Sequence, residues 1–113
     1  MAEVTEFKAI DPVGSGNAHH IYTINAKSDQ LVPGMQFGRI EFQTGPVKEY
    51  GINGVTNEDL LEIVIHRLKC FQTSPYVCRE NAIALTKIEE GLMWLNERTR
   101  ERKERKVEGT KEV

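Results

Sequence analysis

The sequence contains no long apolar segment. No run approaches the ~20 apolar residues that a membrane-spanning helix needs. The first residues provide neither a basic start nor an apolar stretch, so no secretory signal is expected. The 113 residues are predicted to form a single domain. It would comprise a β-rich part (1–55), a helical hairpin (56–108) and a tail (109–113).

Cysteine is scarce as well. Cys70 and Cys78 lie eight residues apart with no CxxC pair, and a structural zinc site needs about four ligands at regular spacing. Reduced thiols in apolar surroundings are therefore expected. A disulfide between the two predicted helices is the alternative, and it would require an oxidising compartment. The histidines His19, His20 and His66 form no metal-ligand or Cys/His pattern.

The sequence also shows no recognisable arrangement of catalytic residues. Gly14-Ser15-Gly16 resembles part of a phosphate loop but lacks the Gly-Lys-Ser/Thr ending. Glu89 and Glu90 are adjacent in a predicted helix, where they point about 100° apart and cannot share a proton. Because no nucleophile, base and oxyanion donor assemble, we expect no enzyme and no cofactor.

Charge is distributed unevenly along the chain. The formal net charge is −2, which argues against a general nucleic-acid binder. Residues 1–96 carry 8 basic and 12 acidic groups, whereas residues 97–113 carry 7 and 5. The basic groups are concentrated between Arg98 and Lys106, so this segment is a candidate binding surface.

Residues 1–55 have the composition of β-structure. Turn residues cluster at 11–17, 31–34 and 44–46, and the segments between them are rich in β-branched and aromatic side chains. We therefore expect three or four short antiparallel strands, at Glu3–Ala9, His20–Asn25, Phe37–Gln43 and Val47–Ile52.

Two helices are predicted to follow. Thr56 begins a capping-box variant, which predicts a helix over residues 56–72. Ser74 is a good N-cap for a second helix from Pro75 to Lys106. A heptad seam in this helix predicts an antiparallel hairpin with the first. The seam residues are Leu85, Ile88, Leu92 and Leu95.

The second helix is predicted to be about twice as long as the first. Its basic half would project beyond its partner, and an uncovered helix of this kind commonly packs against a second copy of the chain. The fold class is therefore α+β: a small N-terminal antiparallel sheet followed by a long antiparallel helical hairpin, in an oligomer.

One face of the second helix combines an aromatic side chain with arginines: Trp94, Arg98, Arg102 and Arg105. Guanidinium groups bind phosphates bidentately, and an aromatic ring stacks on a base. The alternative is a solvated face in which pairs such as Glu97–Arg100 neutralise the charge. A small, doubly phosphorylated ligand fits better than DNA, because the patch is short and the protein is net acidic.

Phe71 and Asn81 flank the predicted turn between the helices. The Asn81 amide suits an adenine edge or ribose hydroxyls, and Phe71 can stack on a base. Packing of Phe71 into the core at the helix end is the alternative.

Several motifs between residues 42 and 110 resemble the phage anti-Thoeris sponge family, whose helical hairpin is similar to that of the phage anti-CBASS sponge. The motifs are Phe42-Gln-x-Gly-Pro46, Gly51-x-Asn-Gly54, Leu60-Leu-x-Ile63, Arg67-Leu-x-x-Phe-Gln72, Arg79-Glu-Asn81, Trp94-Leu, Arg98-Thr and Val107-Glu-Gly-Thr110.

This resemblance implies a non-catalytic protein of the host bacterial cytoplasm that sequesters cyclic nucleotide immune messengers, with no DNA, RNA or membrane partner. The Thoeris messenger is glycocyclic ADP-ribose, and the family's pocket lies where protomers meet. By resemblance, Phe71 would stack on adenine, Asn81 would hydrogen-bond the ligand, and Arg98 and Arg102 would hold the diphosphate.

Some relatives are implied to form hexamers, as trimers of dimers, and to bind cyclic trinucleotides at a second site. The matching residues are Arg105, Gly109 and Thr110. Two other functions remain open: a structural or protein-interaction module that grips an acidic partner through the basic helix, and a small nucleic-acid binder.

Overall fold

The computed structural model of the chain describes residues 3–106 and Gly109. Contacts divide the chain into two compact units, Met1–Val55 and Thr56–Val113. This division coincides with the predicted junction between the β-rich part and the helical hairpin. The α+β fold class is confirmed, with a three-stranded antiparallel sheet followed by helices.

The first unit is built on strands β1 (Thr5–Ala9), β2 (Ile21–Ala26) and β3 (Gln36–Glu41), in the order β1-β2-β3. A short 3-10 helix at Ser15–Asn17 lies between β1 and β2. The first three predicted strands are confirmed, with ends displaced by one or two residues. The Tyr22 ring meets Phe42 edge-on at 5.6 Å between centroids, and Phe7 at 6.0 Å.

The fourth predicted strand, Val47–Ile52, is wrong. Val47–Tyr50 form the short helix α1, which ends at Gly51 with a left-handed φ of 71°. The loop around α1 is fixed by the side-chain amides of Gln43 and Asn53. Gln43 bonds the Gly51 carbonyl and the Asn53 N–H, and Asn53 bonds the N–H and the carbonyl of Thr44. These backbone groups are therefore satisfied without a neighbouring strand.

Helix α2 (Asn57–Gln72) confirms the first predicted helix. The Thr56 hydroxyl accepts the Asp59 N–H at 3.3 Å, and the Asp59 carboxylate accepts the Thr56 N–H at 2.8 Å. This reciprocal capping box satisfies donors that the helix itself leaves unpaired.

Helix α3 (Arg79–Glu104) starts four residues later than predicted. Ser74 does not cap it, because the Ser74 hydroxyl instead donates to the Phe71 carbonyl at 2.6 Å. The cap is Cys78, whose Sγ accepts the Asn81 N–H at 3.4 Å. The helix ends two residues before the predicted Lys106, which has a left-handed φ of 60°.

The predicted hairpin and heptad seam are confirmed. Helices α2 and α3 pack together, and Lys69 Nζ lies 3.7 Å from Glu89 Oε2 across them. The half-buried face of α3 extends the predicted seam at both ends with alternating spacings of three and four residues. It comprises Asn81, Leu85, Ile88, Leu92, Leu95 and Thr99, and is continued by the buried Arg102.

The hydrophobic core of the described residues is small. Ala26 and Ile65 are its buried hydrophobic side chains. Many large apolar side chains are exposed, among them Met93 and Trp94 on α3. Exposed large apolar side chains that lie together on a surface commonly mark an interaction site.

Candidate functional site

Phe71 lies in the last turn of α2 and is half-buried. The Arg67 guanidinium carbon lies 5.0 Å from the centroid of its ring, one helical turn away. This cation–π contact covers one face of the ring. No described aromatic ring contacts Phe71.

Asn81 lies in the first turn of α3 and is also half-buried. Its backbone N–H is bonded to Cys78. Among the described residues nothing bonds its side-chain amide, which keeps two donors and an acceptor for a ligand.

The turn between Phe71 and Asn81 is closed by Gln72. Its Nε2 donates to the Cys78 carbonyl at 3.2 Å, and its Oε1 accepts the Cys78 N–H at 3.3 Å. Both cysteines near this turn are free thiols. Cys78 is half-buried, whereas Cys70 is exposed, so the expected apolar surroundings are wrong for Cys70.

Arg98 is exposed on α3, and no described acidic residue pairs with it. Trp94, one turn earlier, has 63% of its surface exposed. Trp94 and Arg98 thus lie one turn apart on an exposed part of the helix. Neither side chain must break an ion pair to reach a ligand.

Arg100 has a different environment. It forms ion pairs with both Glu97 and Glu104. The hydrogen bonds that Arg100 donates to Glu97 and the charge of Glu104 raise the pKa of Arg100, and the same hydrogen bonds lower the pKa of Glu97. The solvated, neutralised face predicted as the alternative therefore describes Arg100.

Arg102 is buried, with 6% of its surface exposed. It continues the half-buried face of α3, three residues beyond Thr99. The sequence places Arg98 and Arg102 on one face of the helix. The structure separates an exposed arginine from a buried one, because the heptad register turns Arg102 toward the seam.

The four predicted ligand residues do not meet within one protomer. Asn81 lies 17 residues before Arg98 and 21 before Arg102 on a continuous helix. At 1.5 Å per residue these separations are ~26 Å and ~32 Å. One small nucleotide cannot span either distance.

The predicted second site falls at the end of the described chain. Arg105 caps α3, and its backbone N–H bonds the Glu101 carbonyl. Gly109 is half-buried and has a left-handed φ of 82°. Thr110 lies outside the described residues.

Two residues that the sequence patterns do not single out, Arg67 and Gln72, make contacts near Phe71 and Asn81. Arg67 could have been found from its i, i+4 spacing to Phe71, which brings the two side chains together on a helix. Gln72 offered no comparable signal, because its partner lies beyond an irregular turn.

Other candidate sites are less suitable. An open depression of about 360 Å³ on α2 is lined by Asp59, Glu62, Ile63 and His66. Its two carboxylates disfavour a phosphorylated ligand. In the described part of the chain, no group of three or more His, Cys, Asp or Glu side chains could hold a metal ion. No described helix is long and apolar enough to cross a membrane.

Comparison with known proteins identifies the hairpin. The Acb2/Tad1 hairpin domain family matches residues 36–100, which include β3, α1, α2 and most of α3. Over 73 residues the chain is 63% identical to Thoeris anti-defense 1 of Bacillus phage SBSphiJ7. The alignment covers 65% of this chain and 51% of that protein, so the chain spans about half the length of the curated relative. The family match covers more than half of the chain, which therefore belongs to the Acb2/Tad1 hairpin domain family.

Proposed function

We propose that this protein is a non-catalytic sponge for cyclic nucleotide immune messengers, with glycocyclic ADP-ribose as its main ligand. By withholding the messenger, it would allow a phage to evade Thoeris defence in the host cytoplasm. Support comes from membership of the Acb2/Tad1 hairpin family and from the name of the phage relative.

The chemistry of the candidate residues matches such a ligand. The messenger carries an adenine, two riboses and a diphosphate. Phe71 offers a ring face for the base, and the unbonded Asn81 amide suits ribose or adenine edges. Arg98 offers a guanidinium group that no described acid neutralises.

The separation of ~26 Å between Asn81 and Arg98 along α3 is the observation that carries the proposal. A single protomer would bind only part of the messenger. Two α3 helices that pair antiparallel would bring the Asn81 end of one protomer beside the Arg98 end of its partner. Twofold symmetry would then create two equivalent sites, each with residues from both chains.

Gly91 lies near the centre of this pairing. It falls about midway between Asn81 and the two ligand arginines, on an open surface where an added Cβ would meet no atom within 4 Å. A glycine costs about 1 kcal/mol relative to alanine inside a helix. Close approach of a second helix explains why this position lacks a side chain.

Mixing of two defective chains tests the shared site. One chain would carry Phe71→Ala and Asn81→Ala, and the other Arg98→Ala and Arg102→Ala. Neither should bind glycocyclic ADP-ribose alone. Co-expression should restore binding in about one quarter of the sites, because each mixed dimer contains one intact site. Failure to restore binding, with mixed dimers demonstrated by mass spectrometry, would rule out a site built from two protomers.

A thermal-shift and calorimetry panel tests the ligand class. It would compare cyclic ADP-ribose isomers with cyclic di- and trinucleotides, using Arg98→Ala and, as matched control, Arg100→Ala. Arg100 is already paired with two acids, so its loss should change affinity little. Heating of the complex should release unaltered messenger, whereas a cleaved product would indicate an enzyme.

The proposal extends to a second messenger class. Arg105, Gly109 and Thr110 would bind a cyclic trinucleotide where dimers assemble into a hexamer. The left-handed backbone of Gly109 favours this, because such a conformation can direct N–H groups toward a phosphate. Binding of cyclic trinucleotides that persists in Arg98→Ala and is lost in Arg105→Ala would support separate sites.

The interaction-module alternative predicts no thermal shift with any nucleotide and retention of an acidic host protein. The structure offers it limited support, since Arg100 is engaged by Glu97 and Glu104.

A further inference from the structure

Gln72 links the end of α2 to the residue that caps α3. Its side-chain amide donates to the Cys78 carbonyl at 3.2 Å and accepts the Cys78 N–H at 3.3 Å. An amide side chain is suited to this task because it carries a donor and an acceptor. The two bonds close a short loop in the manner of a β-bridge.

Further bonds extend this closure to the two ligand residues. The Ser74 hydroxyl donates to the Phe71 carbonyl at 2.6 Å, and the Asn81 N–H donates to Cys78 Sγ at 3.4 Å. Phe71 directly precedes Gln72 in the chain, so the Gln72–Cys78 link and the Cys78–Asn81 bond together connect the end of α2 that carries Phe71 to the start of α3 that carries Asn81.

We propose that Gln72 is a positioning residue, which holds Phe71 and Asn81 in their binding arrangement before the messenger arrives. This inference rests on the proposed function. Gln72 need not contact the ligand, because both of its described polar contacts are to Cys78. Its contribution is preorganisation: without the clamp, ligand binding must also order the turn.

The Gln72→Glu variant removes the clamp with almost no change in shape. Glutamate keeps an acceptor for the Cys78 N–H but places a carboxylate oxygen against the Cys78 carbonyl. We expect glycocyclic ADP-ribose affinity to fall about tenfold, as for the loss of one to two hydrogen bonds.

Thr73→Val provides a matched control in the same turn. The Thr73 hydroxyl donates to the Cys70 carbonyl at 2.9 Å, a bond that stays within the end of α2. Its loss leaves the Gln72–Cys78 link intact. We expect an affinity change of less than about twofold in this variant.

A double-mutant cycle separates positioning from general destabilisation. If Gln72 acts through Asn81, Gln72→Glu should weaken binding much less in an Asn81→Ala background than in the wild type. Hydrogen exchange gives a second measurement that needs no variant. The Cys78 amide should be protected in the ligand-free protein, since Gln72 Oε1 accepts it.

The possible failures are distinguishable. Wild-type affinity in Gln72→Glu, additive effects in the cycle, or rapid exchange of the Cys78 amide would each overturn the positioning role and leave the sponge function intact. Absence of glycocyclic ADP-ribose binding by the wild type would overturn the proposed function, and the positioning role with it.

Discussion

Substitution of Gly91 tests whether a second copy of the chain covers the exposed face of α3. In an isolated protomer an added Cβ meets no atom within 4 Å, so alanine fits without strain. Removal of a mid-helix glycine should then raise the free energy of unfolding by about 1 kcal/mol. Leucine is nearly as good a helix former and should also stabilise the isolated protomer.

The effects of Gly91→Ala and Gly91→Leu on dimerisation should differ if two α3 helices pair at Gly91. A leucine side chain would hold the two helices apart on both sides of the symmetry axis. Overpacking of a close contact typically costs 1–3 kcal/mol, so we expect a ~5- to 150-fold weaker dimer and a parallel loss of messenger binding. Thr86→Leu is the matched control, because Thr86 is exposed on another side of the same helix.

Sedimentation equilibrium and thermal unfolding at several protein concentrations would measure these effects. The wild-type melting temperature should rise with concentration, since dimerisation stabilises the folded state. Gly91→Leu should reduce that dependence while the α3 helix content is retained. A Gly91→Leu chain that dimerises and binds glycocyclic ADP-ribose as the wild type does would show that the helices cross elsewhere.

Three further predictions follow from local structure. Thr56→Ala should destabilise the helical unit by about 1 kcal/mol in urea unfolding, because it breaks the capping box, whereas Thr86→Ala should have a smaller effect. Burial raises the pKa of Asp11, but the N–H groups of His20 and Ile21 outweigh it, so the net pKa is lowered. The stabilisation of the folded state by the Asp11 carboxylate should therefore be present at neutral pH and lost as pH falls below about 4. Asp11→Asn should reduce the difference in the free energy of unfolding between pH 7 and pH 3. Trp94 fluorescence should change on addition of glycocyclic ADP-ribose, because Arg98 lies one helical turn away, and an unchanged spectrum with saturated ligand would place the ligand elsewhere.

The helical unit was largely predictable from sequence, because its signals are local. Thr56 with Asp59 defines the start of α2, and the leucine spacing in α3 defines the packed face. The start of α3 was misplaced, because proline after serine indicates a helix start as well as a turn. Whether residues 75–78 form a helix start or a turn depends on Gln72, whose bonds to Cys78 favour the turn.

The composition of residues 47–52 favours a strand, whereas the structure has the short helix α1 there. Residues 47–52 contain β-formers, but Gln43 and Asn53 satisfy the loop backbone through contacts about ten residues apart in sequence. Side-chain amides that replace strand pairing leave no periodic signal. The separation of Asn81 from Arg98 already follows from the predicted Pro75–Lys106 helix, whereas the burial of Arg102 depends on packing against α2 and is a finding of the structure.

Arginines that look alike in the sequence differ in how readily they can bind an anion. Arg98 is exposed without a described acidic partner, so it can approach a phosphate at no cost in ion pairs. Arg100 would have to leave two glutamates. Arg102 is buried and has interactions of its own within the described structure, so these would have to be exchanged before it could hold an anion. A polymer needs a row of accessible charges along its length, whereas these three arginines include one, Arg98, that is exposed and not held by a described acid.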